Sequence, residues 1–263
     1  MQAEPPVAAA PGRATIALIT LAVFLFAVHA LPTLIGHLVR WDGYAHAAAV
    51  KTAQIAVIFL AVGVVLRSGL RRVAAELGLV SSVGTAAAVA FLATAPMLVA
   101  FSITGALRVE YSPQQLAVTA FFSPVGEEVL YRGYAFGQLY QRAQWRFLAA
   151  VLIPTLFFSL GHLYQAADVM QAIGVFAVTA IGSIWFAWLY ARWQNLWVPI
   201  MLHALMNLWW YIFEVDTTAL GGWLANIARL LTIVLSVAVT LLAPHGVKRG
   251  PARFRGRLTD GVQ

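Results

Sequence analysis

The sequence predicts an all-α, polytopic membrane protein: a bundle of about eight transmembrane helices with the N- and C-termini in the cytoplasm. Three observations carry this. Apolar residues make up 61% of the 263-residue chain and charged residues 10%, against roughly 25% charged in soluble proteins. The apolar residues gather into runs of the roughly 20 residues that a hydrocarbon core of about 30 Å requires. Lys and Arg concentrate in alternate connections between those runs, as the positive-inside rule demands of cytoplasmic loops. A soluble enzyme, a disordered tail and a DNA-binding domain are excluded, because too few polar residues exist to wet a surface. With no cysteine, a disulfide framework, a thiolate metal site and a cysteine nucleophile are excluded too.

The runs justify themselves in order. Ala14–Leu38 follows a Pro/Ala-rich leader and outlasts the apolar core of a signal peptide, so it reads as a mature span. His46–Leu66 and Val83–Gly105 are plainly apolar. Gln115–Tyr140 is apolar on average but charged in its middle, and Ser123-Pro124 inside it reads as a helix N-cap followed by Pro at the first helical position. Phe147–Leu163 and Leu196–Phe213 are short and contain His; Val169–Tyr190 and Leu220–Leu242 complete the set. A cytoplasmic N-terminus places twelve basic residues inside and leaves Arg40, Lys51 and Arg108 outside, with Arg132 and Arg229 within spans. Arg229 is expected to snorkel. Trp41, Trp145, Trp193 and Trp197 near span ends read as interfacial belt residues. The formal charge of +7 therefore reports membrane orientation, with the basic tail 244–263 as an anchor, and calls for no nucleic acid. The chain reads as one domain over residues 1–263.

Polar residues inside spans stand out against this background. An ionisable group there costs roughly 2.5–3.5 kcal/mol even on the lenient scale, so each is a functional hypothesis. The fourth run holds Glu127, Glu128 and Arg132; the fifth ends Phe158-Ser159-Leu160-Gly161-His162; the seventh contains His203 and Asn207. Left unpaired, the five ionisable ones would cost on the order of 10 kcal/mol, the stability of a whole domain. They must meet one another or water. Glu128 and Arg132 are four apart and pair on one helix face. Glu127 is turned about 100° from that pair and has no cation of its own. His203 and Asn207 also share a face and both can donate hydrogen bonds, which suits a developing oxyanion. His162 stands on another span, with Phe158 one turn earlier as an apolar wall. No Ser or Thr occupies a nucleophile context, so water is the attacking group these residues fit.

Glu-Glu-x-x-x-Arg, Phe-x-x-x-His and His-x-x-x-Asn, ordered and each on its own span, resemble the CPBP family of membrane proteins. That family holds the CAAX prenyl endopeptidases of the Rce1 type and bacteriocin self-immunity proteins. The motif core is 123–207, and Glu76-Leu77-Gly78-Leu79 resembles the family's amphipathic approach to the third span. The resemblance implies a multi-pass protein of a bacterial cytoplasmic membrane that hydrolyses a peptide bond in a membrane-anchored peptide or protein. Glu127 would be the general base acting on water with His162. Glu128 and Arg132 would support the site, and His203 and Asn207 would stabilise the oxyanion. A metal-free glutamate mechanism is favoured, because the chain lacks His-Glu-x-x-His. The zinc alternative would need Glu127 or Glu128, His162 and His203 to converge from three helices. A non-proteolytic interaction or self-immunity protein is the competing function. A proton-coupled transporter is disfavoured, since no inverted repeat is apparent.

Overall fold

Hydrocarbon offers backbone N–H and C=O groups no partners, so a spanning segment must satisfy them within its own helix. The computed structural model describes residues 12–38, 43–108 and 110–244, and in these the chain is an all-helical membrane bundle. The basic tail beyond Pro244, Arg40 and Trp41 lie outside the described residues. The helices are α1 (Arg13–Leu38), α2 (Gly43–Leu66), the short α3 (Leu70–Glu76), α4 (Val83–Thr104), α5 (113–142), α6 (Phe147–Leu160), α7 (Val169–Trp193), α8 (Trp197–Ile212) and α9 (Trp223–Leu242). Six of them, α1, α2, α4, α6, α7 and α9, are long and apolar enough to cross a membrane. The other two expected runs are helices with a difference. α5 carries its charges in the middle, and α8 has 16 residues, only about 24 Å at 1.5 Å per residue.

α5 corrects the expected helix start at Ser123. It begins at Pro113, where Ser112 and Gln115 form a reciprocal capping box: the Gln115 N–H donates to Ser112 Oγ and the Ser112 N–H to Gln115 Oε1. Pro124 sits inside the helix, and a π-helical stretch over Ala117–Phe122 precedes it. Proline cannot donate to the carbonyl one turn back, and a locally wider turn absorbs that loss. Glu127 therefore lies about 21 Å along α5, beyond reach of the helix-end dipole, which fades within a turn. Below it, every residue from 128 to 140 is buried, which makes α5 the axis of the bundle. At Gly133 a Cβ would come within 2.9 Å of Leu196, so the turn before α8 packs directly on this axis.

The two ends of the bundle are built differently. At one end the α3–α4 turn clasps the α7–α8 turn: the Leu196 N–H donates to Gly78 O at 3.1 Å and Asn195 Nδ2 to Ser82 O at 2.9 Å. Arg142 forms an ion pair with Glu76 there. Trp197 Nε1 donates to Leu79 O, and Trp193 Nε1 donates to Thr240 across the bundle. Trp193 is 2% exposed, so neither indole is the belt residue that its position suggested. Both spend their N–H inside the protein. At the other end the chain after α4 meets the chain after α8, with the Glu214 N–H donating to Ala106 O and the Arg108 N–H to Ile212 O.

Candidate active site

Glu128 and Arg132 meet as their spacing predicts. Arg132 Nη1 donates to Glu128 Oε1 at 2.9 Å, with side chains 1% and 0% exposed. The guanidinium also lies over two aromatic faces, 4.5 Å from the Phe158 ring centre and 5.4 Å from that of Phe186. Those faces stand in for the solvent a buried cation has lost. Phe158, expected as a wall for His162, thus also floors the arginine.

Glu127 has the cation that its own helix lacks. Lys51 Nζ reaches Glu127 Oε1 at 3.1 Å from α2. Spacing along α5 offers Glu127 no cation, and the positive-inside tally counts Lys51 on the outer side; the fold instead pairs the two across helices. Gly126 makes the approach possible, because a Cβ there would fall 2.8 Å from Lys51 Cδ. A signal existed in the sequence: a single lysine within an apolar run must find an anion, and one carboxylate on α5 had no partner.

The two histidines differ in what holds them. His162 lies just past the end of α6, and its Nδ1–H donates to the Phe158 carbonyl at 2.6 Å. A carbonyl only accepts, so in the neutral ring Nε2 is left bare as an acceptor. His203 sits on α8 between the glutamates. Its Nδ1–H donates to Glu128 Oε1 at 2.8 Å, and its Nε2 is 3.9 Å from Glu127 Oε2. Sequence spacing gave His203 an oxyanion role beside Asn207; the fold ties its ring first to a carboxylate. Asn207, one turn further along, donates a long bond of 3.4 Å to Thr119 O, a carbonyl in the π-helical stretch of α5.

Glu127, His162, His203 and Asn207 all line one cavity of about 680 Å³, together with Arg132 and Phe158. Glu128 is sealed behind it, 0% exposed. Gly182 has nothing within 4 Å of its Cβ position and lines the same space. Arg229 is a wall residue too. Its guanidinium donates to the carbonyls of Ala219 and Leu220 and lies 4.4 Å over Trp210, instead of snorkelling to lipid. Among the described residues, no three His, Asp or Glu side chains are grouped to hold a metal. The Lys51 ammonium already pairs with Glu127, one member of the candidate zinc set of Glu127, His162 and His203.

Comparison with known proteins bears on this same stretch. Residues 110–209 match the family described as type II CAAX prenyl endopeptidase Rce1-like. A 104-residue stretch is 34% identical to "Putative membrane peptidase YdiL" of Bacillus subtilis (strain 168). That match covers 40% of this chain and 38% of the relative, so it spans well under half of either protein. No solved structure matches. The matched segment contains all of Glu127, His162, His203 and Asn207, and over that segment this chain is similar to the Rce1-like CAAX prenyl endopeptidase family.

Proposed function

We propose that the protein is an intramembrane endopeptidase that hydrolyses a peptide bond of a membrane-anchored polypeptide, using water activated by Glu127 and His162 without a metal. The observation that carries this reading is the convergence of Glu127, His162, His203 and Asn207 on one cavity within the bundle. Glu127 Oε2 and the bare Nε2 of His162 both accept hydrogen bonds and would draw the two protons of one water, aiming its lone pair at a carbonyl carbon. As the C–O bond forms, Glu127 takes a proton; as the C–N bond breaks, it returns that proton to the leaving amine. Asn207 Nδ2 would exchange its long bond to Thr119 for the developing oxyanion. His203 Nδ1–H is committed to Glu128, so Nε2 can add a second donor only in the doubly protonated ring.

One feature favours a second reading. The Lys51–Glu127 pair could be an interhelical clamp in a non-proteolytic protein. The two readings separate on purified protein in liposomes with a membrane-anchored reporter. Proteolysis requires that wild type cleaves it and that Glu127→Ala and His162→Ala do not. Cleavage undiminished in both variants would refute the mechanism. A clamp requires no cleavage, and Glu127→Gln would then cost as much thermal stability as Glu128→Gln. Activity that disappears on chelation and returns with stoichiometric zinc would overturn the metal-free part alone.

A further inference from the structure

Among the described residues, the lining of the cavity runs to one end of the bundle, which is taken as its mouth. Tyr44, at the start of α2, Tyr164 and Gln165, after α6, Tyr211, at the end of α8, Ala219 and Asn226 all line it. These belong to the end of the bundle where α4 runs into α5 and α8 into α9. No lining residue comes from 67–82, 142–147 or 193–197, the turns at the opposite end. That opposite end is closed by packing: Leu77, Leu139, Tyr190, Trp193 and Leu196 are each 2% exposed or less, and hydrogen bonds lock the two turns together.

Charge marks the two ends oppositely. Arg67, Arg71, Arg72, Arg142, Arg146 and Arg192 stand at the closed end. The described connections at the open end carry Arg108 with Glu110, Asp168, Glu214 and Asp216. Moving Lys51 from the outer tally into α2 sharpens this asymmetry. Lys and Arg in short loops are retained on the cytoplasmic side. The arginine-rich closed end is therefore cytoplasmic and the mouth is not.

The cavity also has a lateral wall that faces lipid. Ile181 on α7 and Leu230 on α9 line it while remaining 60% and 59% exposed. The two helices are tied towards the closed end, by Trp185 Nε1 to Ser236 at 3.1 Å and Trp193 Nε1 to Thr240 at 2.8 Å. We infer that this site is filled from the non-cytoplasmic face, and that its substrate is a stretch of membrane-anchored polypeptide at the outer-leaflet side of its anchor. A lipidated C-terminus presented from the cytoplasm is the substrate class this geometry disfavours. The inference deepens the proteolytic reading but is tested separately from it.

The chain has no cysteine, so single cysteines report the answer without background. Ala167→Cys in the turn after α6 and Val118→Cys in the cavity wall are expected to react, in intact spheroplasts, with a charged, membrane-impermeant thiol reagent. Leu70→Cys at the closed end should react only after lysis. The reverse pattern would overturn the inference whatever the activity. Paired reporters with the scissile stretch on one side of the anchor or the other then address the substrate. Cleavage confined to the cytoplasmic-side reporter would overturn the inference, and cleavage confined to the outer-side reporter would support it. If neither is cut, the proteolytic reading fails while the labelling still decides the face.

Discussion

Two carboxylates, adjacent in the chain, occupy opposite worlds. Glu128 is enclosed: Arg132 and His203 both donate to its Oε1, and Phe158 and Phe186 cover the arginine. Glu127, 17% exposed, lines the cavity, holds a lysine from another helix with one oxygen and has the other 3.9 Å from His203 Nε2. A buried ion pair is costly to form and worse to break, so the Glu128 cluster is suited to holding α5, α6 and α8 together. A pair at the edge of a cavity can exchange partners. On the proposed reading, the contrast gives packing to one glutamate and chemistry to its neighbour, although both belong to one motif.

The comparison can be broken where it is strongest. Glu127→Gln keeps the shape of the side chain and should lower cleavage by about 10²–10⁴-fold, the usual worth of a general base, while costing less thermal stability than loss of the fully buried Glu128–Arg132 pair. Arg132→Met should do the reverse: it strands Glu128 and costs about 3–5 kcal/mol, seen as a lower melting temperature before any assay of cleavage. If the two variants exchange these signatures, the division of labour is wrong. Lys51→Met tests the boundary between them. The pair is 18% and 17% exposed, so its loss should cost between the ~1 kcal/mol of a surface pair and the ~3 kcal/mol of a buried one. Lys51→Arg should recover more cleavage than Lys51→Met. The smallest effect lies at the mouth. The Thr218 N–H donates to Asp216 Oδ1 at 2.9 Å, with help from the Thr218 hydroxyl, and holds that carboxyl below the ordinary carboxylate range. Its contribution is present above that range and is lost as pH falls through the lowered value. Hydrogen-exchange protection over 213–222, corrected for the intrinsic pH dependence of exchange, should therefore fall in acid and leave the Glu128 cluster unchanged.

Much of the fold was legible because the bilayer reads sequence simply. Hydropathy located the helices, and a four-residue spacing sufficed to pair Glu128 with Arg132. What escaped was whatever crossed from one helix to another. Lys51 and Glu127 are 76 positions apart in the chain, and nothing in either local pattern sets their distance of 3.1 Å. Pro124 has the signature of a helix start, yet Ser112 and Gln115 had already begun the helix and a π-helical stretch carried it through. Trp193 and Trp197 stand where belt residues stand, but Thr240 and Leu79 offered acceptors that lipid could not.

By itself, then, the sequence determined the helical class, the places where charge had to be buried, and the distribution of arginine that orients the bundle. These follow from interactions within one helix or between a segment and the bilayer, both local in the chain. The tertiary structure alone decided which cation answers Glu127, that His203 turns to Glu128, and at which end the cavity opens. Those outcomes depend on how helices far apart in sequence stack, and a close approach between two helices is recorded in neither one.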